Sequence, residues 1–147
     1  MYKRQGITGQ QLVRSFTGSL PEVVHSTRDF VLRGDVVEGL SPELVFAIRL
    51  ALEEAVTNAH RHGHGGDPDL PISIEFSRIG DDLILEVADT GDGFDPRSIP
   101  DPRSPEGLQR SSGRGLLLIR AFMHHVEHLD AGRRIRMRRC LAPAGSS

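Results

Sequence analysis

Ser41-Pro42-Glu43-Leu44-Val45-Phe46-Ala47-Ile48-Arg49-Leu50-Ala51-Leu52-Glu53-Glu54-Ala55-Val56-Thr57-Asn58-Ala59-His60-Arg61-His62-Gly63 is the stretch on which the reading of this chain turns. It reads as one long helix with both ends marked. Ser41 is a good N-cap, Pro42 suits the first helical position, and Glu43 lies near the positive end of the helix dipole. Gly63 supplies a stop. At about 100° per residue, Val45, Ile48, Leu52, Ala55 and Ala59 form one apolar stripe that should face a core. Glu54, Asn58 and Arg61 fall nearly opposite, among Ala47, Leu50 and Ala51. A helix packed on one side only would offer that side to water with lysines and glutamates. A carboxylate and a carboxamide one turn apart, among small and apolar neighbours, instead predict the wall of a pocket.

Working outward, residues 11–17 are read as a strand, with Leu12, Arg14 and Phe16 alternating weakly against Val13, Ser15 and Thr17. Ser19 and Pro21 open a helix carrying Val23, Val24, Thr27, Phe30 and Val31 and ending near Gly34. Arg28 lies on it, and its plainest reading is a solvated charge. Beyond the long helix, residues 64–69 are a loop by composition. Residues 72–77 and 83–88 alternate as strands about Gly80-Asp81-Asp82, an antiparallel hairpin whose Ile72, Ile74 and Phe76 should pack on the helices. Residues 96–112, rich in Pro, Ser and Arg, lack periodicity and read as a functional loop or lid. An apolar helix over 116–123 follows, then strands near 126–129 and 135–141 turned at Ala131-Gly132. The element order predicts one α+β domain over 11–142, a two-layer α/β sandwich with helices on one face of a mostly antiparallel, mixed sheet. Residues 1–10 and 143–147 are expected to be flexible.

Composition narrows the classes. The chain has 147 residues, 37% hydrophobic and 26% charged, enough for a core without disulfides and unlike a disordered segment. A formal charge of −2 gives no general attraction to nucleic acid or anionic membrane. With Cys140 as the single cysteine, no intrachain disulfide can form, and a reducing cytoplasm is the expected location. No apolar run approaches a membrane span, and no signal-peptide core follows Met1.

Three groups of residues carry candidate chemistry. Glu54 on a pocket wall can take a proton from a hydroxyl, and the amide oxygen of Asn58 is a hard neutral ligand suited to Mg²⁺; both can equally be exposed helix polars. Asp89-Thr90-Gly91-Asp92-Gly93 ends a strand where glycines admit a ligand close to the backbone, and the carboxylate can accept from an amino group such as that of adenine. The bland alternative is a capped turn. Gly113-Arg114-Gly115 before a helix offers free N–H groups to an anion, yet Leu118 breaks a dinucleotide fingerprint and no Gly-Lys-Ser/Thr is present. Two further signals are set aside. His60, His62 and His64 splay around a helix, and His124 with His128 lacks a third ligand, so a metal site is not expected. Arg134, Arg136 and Arg138 share one strand face, a charged outer surface or a guarded edge; without aromatic platforms they do not make a nucleic-acid site.

Taken in order, these motifs resemble those of the GHKL ATPases, the superfamily of gyrase, Hsp90, histidine kinases and MutL. The run from Leu52 to Gly63 resembles its N box, Asp89 to Pro96 its first glycine box, and Ser112 to Leu116 its second. The resemblance covers about residues 12–141 and is nearest to the bacterial anti-sigma-factor serine kinases. It implies ATP and Mg²⁺ as cofactors, with Glu54 as general base and Asn58 as the Mg²⁺ ligand. Asp89 would bind the adenine amino group, with Gly91 and Gly93 shaping the base pocket. Residues 96–112 would be the ATP lid, and Gly113, Arg114, Gly115 and Leu116 the phosphate-facing hinge. Arg28 and Arg61 are candidate phosphate or partner contacts. Two positions depart from the family: His64 replaces a common aromatic, and Gly132-Arg133-Arg134 stands where a Gly-Thr-Thr segment helps hold the nucleotide. The alternative role for these arginines is a phosphate or partner contact.

The function implied is an ATP-dependent serine/threonine protein kinase that doubles as an anti-sigma factor. It would phosphorylate a small STAS-domain anti-anti-sigma protein and sequester a sigma factor, as a homodimer, without membrane or direct nucleic-acid contact. With no phosphoacceptor histidine domain ahead of the ATP fold, a complete sensor histidine kinase is not expected. The rival readings are a non-catalytic ATP-binding switch module and a detached histidine-kinase ATPase domain.

Overall fold

A computed structural model describes residues 9–33, 35–91 and 119–141. Two serine caps set its long helices. Ser19 and Glu22 form a reciprocal capping box, the serine N–H donating to Glu22 Oε1 (2.9 Å) and the Glu22 N–H to Ser19 Oγ (3.4 Å). Helix α1 then runs Leu20–Leu32 and buries Val23, Thr27 and Val31, one per turn. A 3-10 turn, Asp35–Val37, inserts Val36 into the core. Ser41 Oγ accepts the Leu44 N–H (3.2 Å), and α2 runs Pro42–Asn58 with proline at its first position.

The sheet comprises β1 (Gly9–Phe16), β2 (Ile72–Ile79), β3 (Asp82–Ala88), β4 (His125–Leu129) and β5 (Arg134–Cys140), in the order β1-β2-β3-β5-β4. All four pairings are antiparallel, so the parallel pair of a mixed sheet does not occur among the described strands. Period-two alternation places one side chain row after another on the inner face. Leu12, Phe76, Leu85 and Met137 stand side by side across four strands, with Ile74, Val87 and Ile135 in the next row. The three aliphatics and aromatics named for β2 are fully buried, and α1 and α2 share the core with them. Residues 119–122 are helical, and Ile119 and Met123 belong to the same core. On β1, Arg14 lies over the Phe16 and Phe30 rings, 5.4 and 6.0 Å from their centroids.

The outer face is polar, as the arginine spacing on β5 implies. Arg134 and Arg136 each donate to Glu86 on β3 at 2.8 Å, and Arg138 pairs with Asp82 at 3.4 Å. These arginines do not guard an edge, because β5 lies between β3 and β4, and among the described strands the outermost are β1 and β4.

Two features of the long helix differ from its sequence reading. Its buried arc comprises Ala47, Ile48, Ala51, Leu52, Ala55 and Val56, while Val45 is only half-buried. Ala47 and Ala51 are therefore packed, and Glu54 and Asn58 stand at the margin of the buried arc instead of opposite it. The helix also changes pitch. After Asn58 it widens into a π turn, Ala59–Gly63, with the His64 N–H donating to the Ala59 carbonyl (3.0 Å). The left-handed residues that end it are Gly65 and Gly66 (φ 62° and 82°), with the Gly66 N–H on the His60 carbonyl (2.8 Å). Gly63 has another task.

Candidate functional site

Glu54 and Asn58 project from the last turns of α2. Burial pushes the Glu54 carboxyl above the usual range, the adjacent Glu53 charge adds to this, and the charge of Arg61 opposes it. Glu53 itself is tied down by Arg28 on α1 (3.2 Å) and by Arg49 one turn back (3.0 Å). Arg28 thus serves an ion pair between α1 and α2. The Asn58 Oδ1 is buried and has no hydrogen-bond partner among the described residues. A carboxamide oxygen is expensive to bury unsatisfied, and that oxygen is the kind a hard divalent cation takes.

The π turn carries the chain from Asn58 to Gly63, and there it meets the end of β3. A Cβ on Gly63 would lie 2.4 Å from Asp89 Cγ and Oδ2, and one on Gly91 would lie 1.7 Å from the Gly63 carbonyl oxygen. Only glycine permits this approach of two backbones and a carboxylate. Asp89 is 8% exposed, and its Oδ1 accepts the Gly91 N–H at 2.9 Å. Burial holds its carboxyl above the usual range despite that hydrogen bond and the charges of His64 and Arg133, which pull it down.

Two side chains complete the turn. His64 Nε2 accepts the Thr90 N–H (2.9 Å), and Arg133 Nε donates to the Gly91 carbonyl (2.8 Å) while its own carbonyl accepts the Asp89 N–H (2.8 Å). The segment that departs from the expected Gly-Thr-Thr therefore braces the Asp89 turn with Arg133 and the outer sheet face with Arg134. A helix end bearing a carboxylate and an orphaned amide oxygen thus adjoins a glycine-lined turn bearing a buried carboxylate.

The family described as Histidine kinase-like ATPase domain matches residues 17–139, most of the chain. The chain belongs to the histidine kinase-like ATPases. Within that family it is similar to proteins named serine-protein kinase RsbW. The one from Oceanobacillus iheyensis is 33% identical over 95 residues, 60% of each chain. The one from Listeria innocua is 31% identical over 101 residues, 64% of each chain. A Bacillus licheniformis relative is 32% identical over 110 residues, 70% of this chain and 69% of the relative. The matches with the first two therefore span about three fifths of each relative's length.

Against this ATPase family the site residues sort by position. Glu54, Asn58, Asp89 and Gly91 lie along one path from α2 to the end of β3. Arg61 is exposed on the π turn, with its charge felt at Glu54. Gly93, Gly113, Arg114, Gly115 and Leu116, and the whole of 96–112, lie outside the described residues. Three contributors were not assigned these roles from sequence. From sequence Gly63 reads as a helix stop, His64 as a departure from a family pattern, and Arg133 as a departure that offers a phosphate or partner contact. Their contacts join residues 26 and 42 positions apart, which local spacing does not reveal. Among the described residues no cluster of His, Cys, Asp and Glu suits a metal, and no helix is long and apolar enough to cross a membrane. His124 instead accepts the Cys140 N–H at Nδ1 (2.9 Å).

Proposed function

We propose that this chain is an ATP-dependent serine/threonine protein kinase acting as an anti-sigma factor. The observation that carries the reading is the pairing, one turn apart on α2, of a carboxyl raised by burial with an orphaned buried amide oxygen. The relatives named serine-protein kinases support the same activity. Asp89 would receive the adenine amino group on a turn whose glycines admit the base. Asn58 Oδ1 would hold Mg²⁺, which when bound neutralises charge on the phosphate oxygens. Glu54 would take the proton of a serine hydroxyl as its oxygen bonds to the γ-phosphorus. The bond from that phosphorus to the β,γ-bridging oxygen then breaks, and ADP leaves. A base with a raised pKa suits this work, since it holds the abstracted proton more readily than an ordinary carboxylate.

The acceptor would be a STAS-domain anti-anti-sigma protein and the sequestered partner a sigma factor; a homodimer is implied by the family resemblance alone, and a cytoplasmic location by the single cysteine. The ATPase domain would span 11–142, with 96–112 as its lid and Gly93 and the Gly113–Leu116 segment completing the nucleotide site. Incubation with labelled ATP, Mg²⁺ and a cognate STAS protein tests this. Glu54→Ala should cut phosphotransfer by at least about a hundredfold while ATP affinity stays within a few-fold. Transfer that survives the substitution removes Glu54 from the role of base. The second reading is a switch module that binds ATP without transfer. It draws on Arg133, whose guanidinium sits on the Gly91 carbonyl where a threonine was expected. ATP binding with no label on any STAS protein would favour it.

A further inference from the structure

Three residues of its own chain hold the Asp89 turn: Gly63 through its backbone, Arg133 through its guanidinium on Gly91 and its carbonyl on the Asp89 N–H, and His64 through its ring on Thr90. The third differs from the others in kind, because its acceptor is a titratable nitrogen. To accept the Thr90 N–H at 2.9 Å, Nε2 must be unprotonated, which places the ring proton on Nδ1. The ring is 7% exposed, and Nδ1 has no partner among the described residues. Its charged surroundings are Asp89 at the end of β3, Asp67 in the following loop and His60 on the π turn, which is itself fixed by the Gly18 carbonyl (3.0 Å). Arg133 reaches the same turn from between β4 and β5.

We propose that His64 is a positioning residue of the nucleotide site: its neutral Nε2 anchors the Thr90 N–H and so orients the Asp89 carboxylate, and protonation releases that anchor and weakens ATP binding. The inference rests on the reading of Asp89 as the base-binding group. A protonated Nε2 would face the Thr90 N–H donor to donor at 2.9 Å, which is repulsive, and would have to turn to the Thr90 Oγ at 3.4 Å, so the anchor on the N–H is lost. Thr90 cannot move alone. Gly91 is bonded to Asp89 Oδ1 and packed on the Gly63 carbonyl, so displacement at Thr90 is passed to the carboxylate. Burial moves the His64 titration below its ordinary value and His60 adds to this, while Asp89 and Asp67 oppose it. The anchor is therefore complete at neutral pH and lost as pH falls below the usual imidazole range.

The test is calorimetry of a non-hydrolysable ATP analogue at about pH 7.5 and about pH 5.5, with wild type, His64→Gln and His64→Phe. The titration of the analogue's own phosphates is common to all three proteins. Glutamine can place Oε1 near the site of Nε2 and does not titrate in this range. The wild type should therefore lose about fivefold more affinity on acidification than His64→Gln, and His64→Phe should bind weakly at both pH values. In nucleotide-free protein the Thr90 amide resonance should shift along the His64 titration. Equal acid losses in wild type and His64→Gln, or a Thr90 amide indifferent to His64, overturn the inference alone. Absence of analogue binding by wild type at both pH values overturns the base-site reading and the inference with it.

Discussion

Glu54 shows how one side chain can be selected against its own environment. Its carboxyl is raised by burial, with Glu53 adding to the effect, so the fold favours the protonated form. The sign of the consequence follows from linkage. A carboxyl whose folded pKa exceeds its unfolded value contributes stability below the unfolded value, about 4.3, and that contribution is lost as pH rises through the folded value. Negative charge on Glu54 is therefore a cost, one that fits the role of base proposed for it. Glu54→Gln should raise the melting temperature by about 2 °C at pH 7 and leave it unchanged near pH 4. An equal gain at both pH values would mean that the effect comes from something other than the carboxyl's charge. The neighbouring Glu53 is the contrasting case, held by Arg28 and Arg49 in an ion-pair cluster that joins α1 to α2.

At the scale of elements, the connection between β4 and β5 places Arg133 against the site by a strained route. Asp130, Ala131 and Gly132 are all left-handed, with φ of 53°, 54° and 82°. Glycine takes this conformation freely, whereas alanine meets its own Cβ. Replacing Ala131 with glycine should therefore stabilise the protein by about 0.5–1 kcal/mol, read from the urea midpoint at unchanged slope. A loss of stability would show that the alanine methyl makes a contact worth more than the strain. The helix α2 was legible in outline for comparable local reasons: Ser41, Pro42 and Glu43 act within one turn of where they stand. Its π turn and the margin position of Glu54 and Asn58 were not. They depend on what packs against Ala47 and Ala51, and periodicity cannot distinguish a small residue lining a pocket from one buried under a neighbour.

Across the whole molecule, the outer sheet face ties strands distant in sequence through charge. Glu86 on β3 receives Arg134 and Arg136 from β5, and Arg136 also faces Glu127 on β4 at 3.7 Å. Burial alone would raise the Glu86 carboxyl, but the hydrogen bonds and charges of the two arginines outweigh it and hold the group below the usual range. This stabilisation is present above the unfolded carboxylate value and is lost as pH falls through the lower folded one. Urea midpoints of the wild type should therefore fall more steeply in acid than those of Glu86→Gln, and less so in about 1 M salt. Parallel pH dependences for the two proteins would remove Glu86 from the account.

The sequence by itself determined the order of the described helices and strands, both helix N-caps, the inner face of β2, and the family to which the chain belongs. Each follows from nearest neighbours, from periods of two and 3.6 residues, or from residue types at set spacing. It also offered Glu54, Asn58 and Asp89 as candidates for one nucleotide site. Only the tertiary structure decided that Gly63 is the point where α2 meets Asp89, that β5 is interior, and that His64 and Arg133 brace the turn. Those outcomes depend on which backbones come within van der Waals contact after the sheet closes over the helices, a long-range result that no local stretch of the chain encodes.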